Sequence, residues 1–104
     1  MHLTVPGVVV GHDRERRAYV GLLDGTEIGR AEYVTDGERV VMDHTVTEPA
    51  YRGRGVAAAI VRYALEDLRA QNKRLVPACW FVRDFIQANP EYRDLLGDDT
   101  AARD

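Results

Sequence analysis

A short run of residues, Arg52-Gly53-Arg54-Gly55, combines two glycines with two cations. Glycine adopts positive φ angles and lets backbone N–H groups approach a ligand without obstruction by a Cβ atom. The residues that follow have helical periodicity, so the glycines stand where a helix presents unpaired N–H donors and a partial positive charge. This combination is typical of phosphate or pyrophosphate binding. A glycine-rich turn that only connects a strand to a helix is the alternative.

Charge is unevenly distributed along the chain. The formal net charge is −3, which argues against a general nucleic-acid-binding protein. Residues 51–74 carry a net charge of +4, and the remaining 80 residues sum to −7. A local basic segment in an acidic chain favours a small polyanion over a polymer. Within the segment, we expect Arg62 and Arg69 only to solvate the outer face of a helix.

Two common phosphate-binding motifs do not account for these glycines. The Walker sequence G-x-x-x-x-G-K-[ST] is absent. The dinucleotide fingerprint G-x-G-x-x-G/A is formally matched by Gly53, Gly55 and Ala58. That fingerprint also requires at least two βαβ units and an acidic residue after the next strand, and the sequence offers one unit and no such acid. We therefore reject both classes.

A third motif fits better. Arg52-x-x-Gly55-x-Ala57 resembles the [Q/R]-x-x-G-x-[G/A] signature of the general-control-related (GNAT) N-acetyltransferases, in which it binds the pyrophosphate of acetyl-CoA. The wider sequence resembles the smallest, single-domain branch of that superfamily over residues 17–95. The residues that match this branch are His44, Thr45, Pro49, Tyr51, Arg52, Gly53, Gly55, Val56, Ala57, Pro77 and Cys79.

The resemblance implies a cofactor and a reaction. It implies an acetyl-CoA-dependent N-acetyltransferase whose partners are acetyl-CoA and an amine that the sequence does not identify. The strand before the motif would bind the pantetheine, the backbone N–H groups of the motif the pyrophosphate, and Arg52 or Arg54 the 3′-phosphate. The cofactor-binding residues implied in this way are Thr45, Val46, Thr47, Arg52, Gly53, Arg54, Gly55, Val56 and Ala57.

Two side chains are candidates for catalysis. His44 could act as the general base, since an ordinary histidine pKa near 6.5 permits proton acceptance at neutral pH; a histidine held on a strand by hydrogen bonds is the alternative. Cys79 could be an inert core residue, a nucleophile that takes the acetyl group, or a residue that lines the thioester site. Tyr92 could protonate the leaving thiolate or pack. Val46 replaces a glutamate that is common in the branch, and His2 and His12 receive no role.

Hydrophobic patterns predict the elements that position these residues. Residues 17–23 and 26–34 flank Asp24-Gly25, a strong hairpin signal. A second turn at Asp36-Gly37 leads into a strand over residues 38–47. The four-residue recurrence of apolar side chains predicts a helix over about residues 54–71. A strand over 75–80 and a short helix over 82–89 follow, so the predicted fold is an α+β sheet with the order β-β-β-α-β-α. The resemblance implies that this sheet is GNAT-like.

The connection across the helix predicts a parallel pair of strands in an otherwise antiparallel sheet. The first ten residues could add an edge strand, although Pro6-Gly7 interrupts them. We expect Trp80, Phe81 and Phe85 to belong to the core, and the tail after Leu96 to be frayed. The chain lacks room for the two helices that follow the first strand in full-length family members, so the acceptor side should be open.

Length and composition define the broader class. A chain of 104 residues with 45% hydrophobic and 30% charged residues is typical of one globular domain. We predict a cytoplasmic protein, monomeric or weakly dimeric, since no apolar stretch could span a membrane and no signal peptide is recognisable. The single cysteine permits neither an internal disulfide nor a cysteine-based metal cluster. A CoA-binding module without catalysis is the alternative function, and a generic interaction domain would leave the basic segment unexplained.

Overall fold

The computed structural model describes residues 5–96. Five strands form one sheet in the order β1-β2-β3-β4-β5. All neighbours are antiparallel except β4 and β5, which are parallel. The α+β class and the predicted parallel pair are confirmed. The strands are β1 (Val8–Asp13), β2 (Ala18–Leu23), β3 (Thr26–Asp36), β4 (Arg39–Thr47) and β5 (Arg74–Pro77).

The edge strand β1 exists and pairs with β2 along its whole length. A turn over residues 14–17 leads directly from β1 to β2, with Arg17 in the left-handed region at φ 53°. No helix interrupts this connection, as the sequence predicted. The strand starts after Pro6-Gly7, because proline has no N–H to donate to a ladder.

The burial pattern of the central strand β3 shows that one face of the sheet is covered. Its side chains alternate between buried and partly exposed positions, with Ala31 and Tyr33 buried and Arg30 and Glu32 half-buried. This two-residue period is expected for a sheet with one face against a core. The covered face packs against the first helix.

The helix α1 (Val56–Ala70) forms the second layer. The apolar positions predicted from the four-residue spacing are buried: Val56, Ile60, Val61, Ala64, Leu65 and Leu68. The helix lies close to the sheet because Gly21 faces it; a Cβ atom built there would lie 3.0 Å from Cδ1 of Ile60. The predicted helix was one or two residues too long at each end.

The parallel pair of β4 and β5 diverges after a short contact. Pairing runs from Arg39 with Arg74 to Met42 with Pro77 and then ends. On its other side β4 is bulged, since Glu32 pairs with His44 and Tyr33 with Met42, which leaves Asp43 as an extra residue. A bulge bends its strand and increases its twist. The bulge and the divergence of β4 from β5 therefore occur at the same residues.

The chain after β5 differs in detail from the prediction. The strand predicted to continue to Trp80 ends at Pro77, and the helix α2 (Trp80–Ala88) begins two residues earlier than predicted. After Asn89 the chain forms a 3-10 helix over Pro90–Leu96 instead of a simple turn. A second 3-10 helix covers Pro49–Tyr51. The tail predicted to fray lies outside the described residues.

Candidate functional site

A cleft of about 560 Å³ opens where β4 and β5 diverge. The N–H groups of Ala78 and Cys79 both donate to the carbonyl oxygen of Met42, each at 3.0 Å, and close the cleft at its inner end. Its walls are the second half of β4, the turn before α1, the first turn of α1 and the start of α2. The lining residues are His44, Thr45, Val46, Thr47, Tyr51, Arg52, Gly53, Gly55, Val56, Ala57, Ala58, Trp80 and Phe81.

Beyond Met42, the backbone of β4 presents to this cleft an edge that pairs with no other strand within residues 5–96. The N–H group of Glu48 donates to Ile28 of β3 at 2.9 Å. Because N–H and C=O groups alternate in direction along a strand, the backbone groups of Thr45 and Thr47 face away from β3. The carbonyl oxygen of Thr47 indeed accepts a hydrogen bond from Nε of Arg52 at 3.2 Å. The backbone groups of Val46 point to β3, and its side chain lines the cleft.

The N-terminus of α1 forms the opposite wall. Gly53 and Gly55 have φ angles of 75° and 81°, so both need the conformational freedom of glycine. Gly55 is the N-cap residue, no side chain caps the helix, and its first turn contains no acidic residue. The first N–H groups of an α-helix have no partner within the helix. This wall therefore offers backbone donors and the positive end of the helix dipole to the cleft.

The two arginines of the turn occupy different places. Arg52 lines the cleft, and its guanidinium is held by the hydrogen bond to the carbonyl oxygen of Thr47. The guanidinium of Arg54 lies 5.7 Å from the centre of the Tyr51 ring, at the rim of the turn. Among residues 5–96, no carboxylate side chain lines the cleft. The electrostatic environment is thus suited to an anion.

Cys79 lies beside the cleft and is 8% exposed. The Oγ1 atom of Thr45 is 3.7 Å from its sulfur. Burial raises the pKa of the thiol, but hydrogen bonds from Thr45 and from the N–H groups of Phe81 and Val82 outweigh it, so that the pKa lies below its ordinary value. Thiolates are stabilised in this way at helix N-termini. The sulfur therefore interacts with polar groups of β4 and α2, although the residue is buried.

His44 also lines the cleft, but from the other side of β4. Successive side chains of a strand point to opposite faces, so His44 and Thr45 diverge. His44 is exposed, and within residues 5–96 no side chain forms a hydrogen bond or an ion pair with it. The structure thus leaves the imidazole accessible from the face of the sheet opposite α1. Cys79 has its hydrogen bond with Thr45 and none with His44.

The prediction that Trp80 belongs to the core is wrong. Trp80 is 65% exposed and lines the cleft, with its ring edge-to-face against Phe81 at 5.9 Å between centroids. The reason is that β5 ends at Pro77, so Trp80 occupies the first position of α2 and not a buried strand position. Phe81 is half-buried and also lines the cleft, whereas Phe85 is buried as predicted.

Tyr92 lies outside the cleft, which removes the basis for a role as proton donor. It is 1% exposed, and its hydroxyl donates to Glu66 at 2.6 Å and accepts from Arg62 at 3.2 Å. Arg69 lies 5.1 Å from the centre of the same ring. The expectation that Arg62 and Arg69 only solvate the helix is therefore wrong as well, because both hold the 3-10 helix Pro90–Leu96 against α1.

Comparison with known proteins assigns the chain to a family. The sequence model of the GCN5-related N-acetyltransferases matches residues 18–95, and the chain belongs to this family. It is 38% identical to protein NATD1 of Bos taurus over 86 residues, covering 78% of this chain and 74% of that protein. It is 35% identical to protein NATD1 of Gallus gallus over 88 residues, covering 80% and 77%.

Solved structures have the same fold. A GCN5-like protein from Staphylococcus aureus, determined by NMR, superposes with a TM-score of 0.62 at 16% identity and covers 88% of this chain and 89% of its own. The ribosomal-protein-S18-alanine N-acetyltransferase of Escherichia coli superposes with a TM-score of 0.53 at 11% identity, covering 70% of this chain and 43% of that one. The GNAT-like fold predicted from the sequence is confirmed. Among residues 5–96, no helix is long and apolar enough to cross a membrane.

Proposed function

We propose that this protein is an N-acetyltransferase that binds acetyl-CoA in the cleft between β4 and α1 and transfers the acetyl group to an amine. The observation that supports the proposal most directly is the composition of the two walls. One wall is the part of β4 beyond Met42, which within residues 5–96 pairs with no strand on that side, and the other is a helix N-terminus without a side-chain cap, preceded by two positive-φ glycines. A ligand that carries amides at one end and a pyrophosphate at the other matches both walls at once.

The cofactor would be held mainly by backbone groups. Its pantetheine amides would pair with the exposed groups of Thr45 and Thr47, as an added strand pairs with a sheet edge. Its pyrophosphate would accept hydrogen bonds from the N–H groups of residues 53–57 and be stabilised by the helix dipole. Arg52 would meet a phosphate from inside the cleft, and Arg54 from its rim.

The acetyl group would then lie near the inner end of the cleft, close to Cys79. The amine nitrogen attacks the thioester carbonyl, a C–N bond forms, the C–S bond breaks, and the CoA thiolate leaves and takes up a proton. N–H groups at the open edge of β4 would stabilise the transient oxyanion. His44 would accept the proton that the amine loses, because it is exposed on the face from which an acceptor can approach.

Cys79 favours a second route within the same function. Its lowered pKa and its place at the start of α2 suit a nucleophile. In that route the Cys79 thiolate attacks the thioester, CoA leaves as a thiolate, and the amine then attacks the S-acetyl cysteine. Direct transfer is the simpler proposal, since Cys79 is buried, with only 8% of the residue exposed to solvent.

The proposed function is tested by measuring acetyl-CoA binding and amine-dependent release of CoA thiol. Calorimetric titration with acetyl-CoA and with CoA should show one saturable site, and release of CoA thiol should accelerate with a suitable amine from a panel of polyamines, lysine peptides and peptides with an N-terminal alanine. Intact mass after incubation with acetyl-CoA alone distinguishes the routes, because an added acetyl group that is lost in Cys79→Ala indicates the covalent one.

A CoA-binding module without catalysis is the second candidate. It is favoured by the absence, within residues 5–96, of a hydrogen bond between His44 and Cys79, and by Val46, which stands where the related branch often has a glutamate. Tight binding of acetyl-CoA, with no thiol release for any amine and no acetylated protein, would support this module. Failure to bind either acetyl-CoA or CoA would contradict both functions.

A further inference from the structure

A second cavity, of about 210 Å³, lies at the other end of the molecule. It is bounded by the turn between β1 and β2, by the start of β4 and by the last turn of α1. Leu68 lines it, whereas Val56 lines the cleft; these residues are separated by twelve positions along α1, or about 18 Å. The lining residues are His12, Arg14, Arg17, Tyr19, Tyr33, Thr35, Val40, Leu68, Gln71 and Lys73.

A network of polar side chains forms the floor of this cavity. The hydroxyl of Tyr19 donates to Oδ2 of Asp67 at 2.6 Å, and Nε2 of Gln71 donates to the same oxygen at 2.8 Å. The ring of His12 stacks on Tyr19 at 4.1 Å, with its Nε2 atom 2.6 Å from the hydroxyl of Tyr33. The carboxylate of Asp67 is thus already bound by neutral donors inside the network.

Three cations surround the opening. Arg14, Arg17 and Lys73 line the cavity, and within residues 5–96 none of them has a carboxylate at ion-pair distance. Their neighbour Arg16 is different, since it forms a bidentate pair with Glu27 at 2.8 and 3.1 Å. An anion in this cavity would be attracted by all three positive charges at once. Asp67, which accepts hydrogen bonds from the lining residues Tyr19 and Gln71, supplies one negative charge against these three positive charges.

We propose that this cavity binds the dianion of a phosphate group. Its volume is below that of typical cofactor pockets, which hold about 300–1,000 Å³. A phosphate-sized anion therefore fits the cavity better than a whole nucleotide does. Guanidinium groups bind phosphate oxygens through two parallel hydrogen bonds, and lysine adds a point charge. The site does not depend on the function proposed for the cleft.

The proposal can be tested by NMR titration of the ¹⁵N-labelled protein with inorganic phosphate and with phenyl phosphate, at constant ionic strength maintained with chloride. We expect saturable shifts of the amides of Arg14, Arg17 and Lys73 in the wild type. The variant Arg14→Gln/Arg17→Gln should bind at least about ten-fold more weakly, which corresponds to about 1.4 kcal/mol. The control Arg93→Gln removes an exposed charge outside the cavity and should bind as the wild type does.

The two probes identify the source of the phosphate. Saturation by both probes means that the dianion itself is recognised, and saturation by phenyl phosphate alone means that the phosphate is carried on an organic molecule. If the double variant does not fold, Lys73→Gln provides the same comparison. Shifts confined to Gly53 and Gly55, or equal affinity in the wild type and the cavity variants, would overturn the proposal. Acetyl-CoA binding in the cleft is measured separately and is independent of phosphate binding in this cavity.

Discussion

The Oγ1 atom of Thr45 lies 3.7 Å from the Sγ atom of Cys79. This contact links β4 to the start of α2 at the point where β4 and β5 diverge. Hydrogen bonds from the Thr45 side chain and from two N–H groups of α2 lower the pKa of the thiol against the opposing effect of burial. The proposed reaction places this sulfur near the thioester, and the pKa of its thiol therefore depends on Thr45 of β4.

Replacing Thr45 by valine should make Cys79 less reactive. The thiolate loses a hydrogen-bond partner, so the thiol pKa rises and a smaller fraction is ionised at neutral pH. We expect the pH profile of alkylation by iodoacetamide to move to higher pH, with a several-fold slower rate at neutral pH. Thr47→Val is the matched control, since Thr47 lies two positions further on the same face and does not contact the sulfur. Identical profiles for Thr45→Val and the wild type would contradict the role given to this contact.

Gly55→Asp should abolish CoA binding. The substitution places a carboxylate at the helix N-terminus where the pyrophosphate is proposed to bind, and like charges repel in that position. Because Gly55 has a φ angle of 81°, the new side chain also strains the backbone by about 1–2 kcal/mol. Calorimetry with CoA measures the loss of binding, and urea unfolding measures the strain.

Gly37→Asp separates these two effects. Gly37 also has a positive φ, 63°, but it lies in the turn between β3 and β4, where a Cβ atom would meet nothing within 4 Å. We expect a similar loss of stability with unchanged CoA affinity. Undiminished CoA affinity in Gly55→Asp, or an equal loss of CoA affinity in both variants, would mean that the turn does not bind the pyrophosphate.

The elements that sequence analysis located correctly are those specified by local patterns. The hairpin at Asp24-Gly25 follows from residue types that tolerate positive φ angles. The φ angle is 50° at Asp24 and 82° at Gly25. The helix α1 follows from the spacing of Val56, Ile60, Ala64 and Leu68, which are all buried. Such signals depend on residues a few positions apart, so one sequence is enough to detect them.

The features that sequence analysis missed depend on distant contacts. The end of β5 at Pro77 lies beside the bulge at Asp43 in the neighbouring strand, and Trp80, three residues later, is exposed in the cleft. The burial of Tyr92 depends on Glu66, which is 26 positions away. Gly53 and Gly55 do lie at a helix start with φ angles of 75° and 81°, because glycine spacing at a helix start is again a local property; their binding role stays a prediction. The roles of His44 and Cys79 remain predictions.

Tyr92→Phe should destabilise the fold without affecting acetyl transfer. The hydroxyl bonds to Glu66 and Arg62 on the outer side of α1. Loss of these bonds should cost about 1–3 kcal/mol in the free energy of unfolding, measured with urea. The rate of CoA release at saturating substrates should stay at the wild-type value. A large fall in that rate at full occupancy of the folded state would show that Tyr92 acts in the reaction after all.

Trp80 should report the binding of acetyl-CoA directly. It is the single tryptophan of the sequence and is 65% exposed in the wall of the cleft. Since the proposed cofactor site adjoins this ring, we expect a saturable change in tryptophan emission on titration with acetyl-CoA. Trp80→Ala should bind acetyl-CoA more weakly and lose at most about 0.5 kcal/mol of stability, as exposed positions do.

Phe85→Ala is the matched control, five residues further along α2. Phe85 is 8% exposed and packs on Tyr92 at 6.0 Å between ring centroids. Its truncation should lower the free energy of unfolding by about 3–5 kcal/mol. The acetyl-CoA affinity of the fraction that remains folded should be unchanged, since Phe85 does not line the cleft. Unaltered emission at saturating acetyl-CoA, together with wild-type affinity in Trp80→Ala, would mean that the cofactor does not pass along this wall.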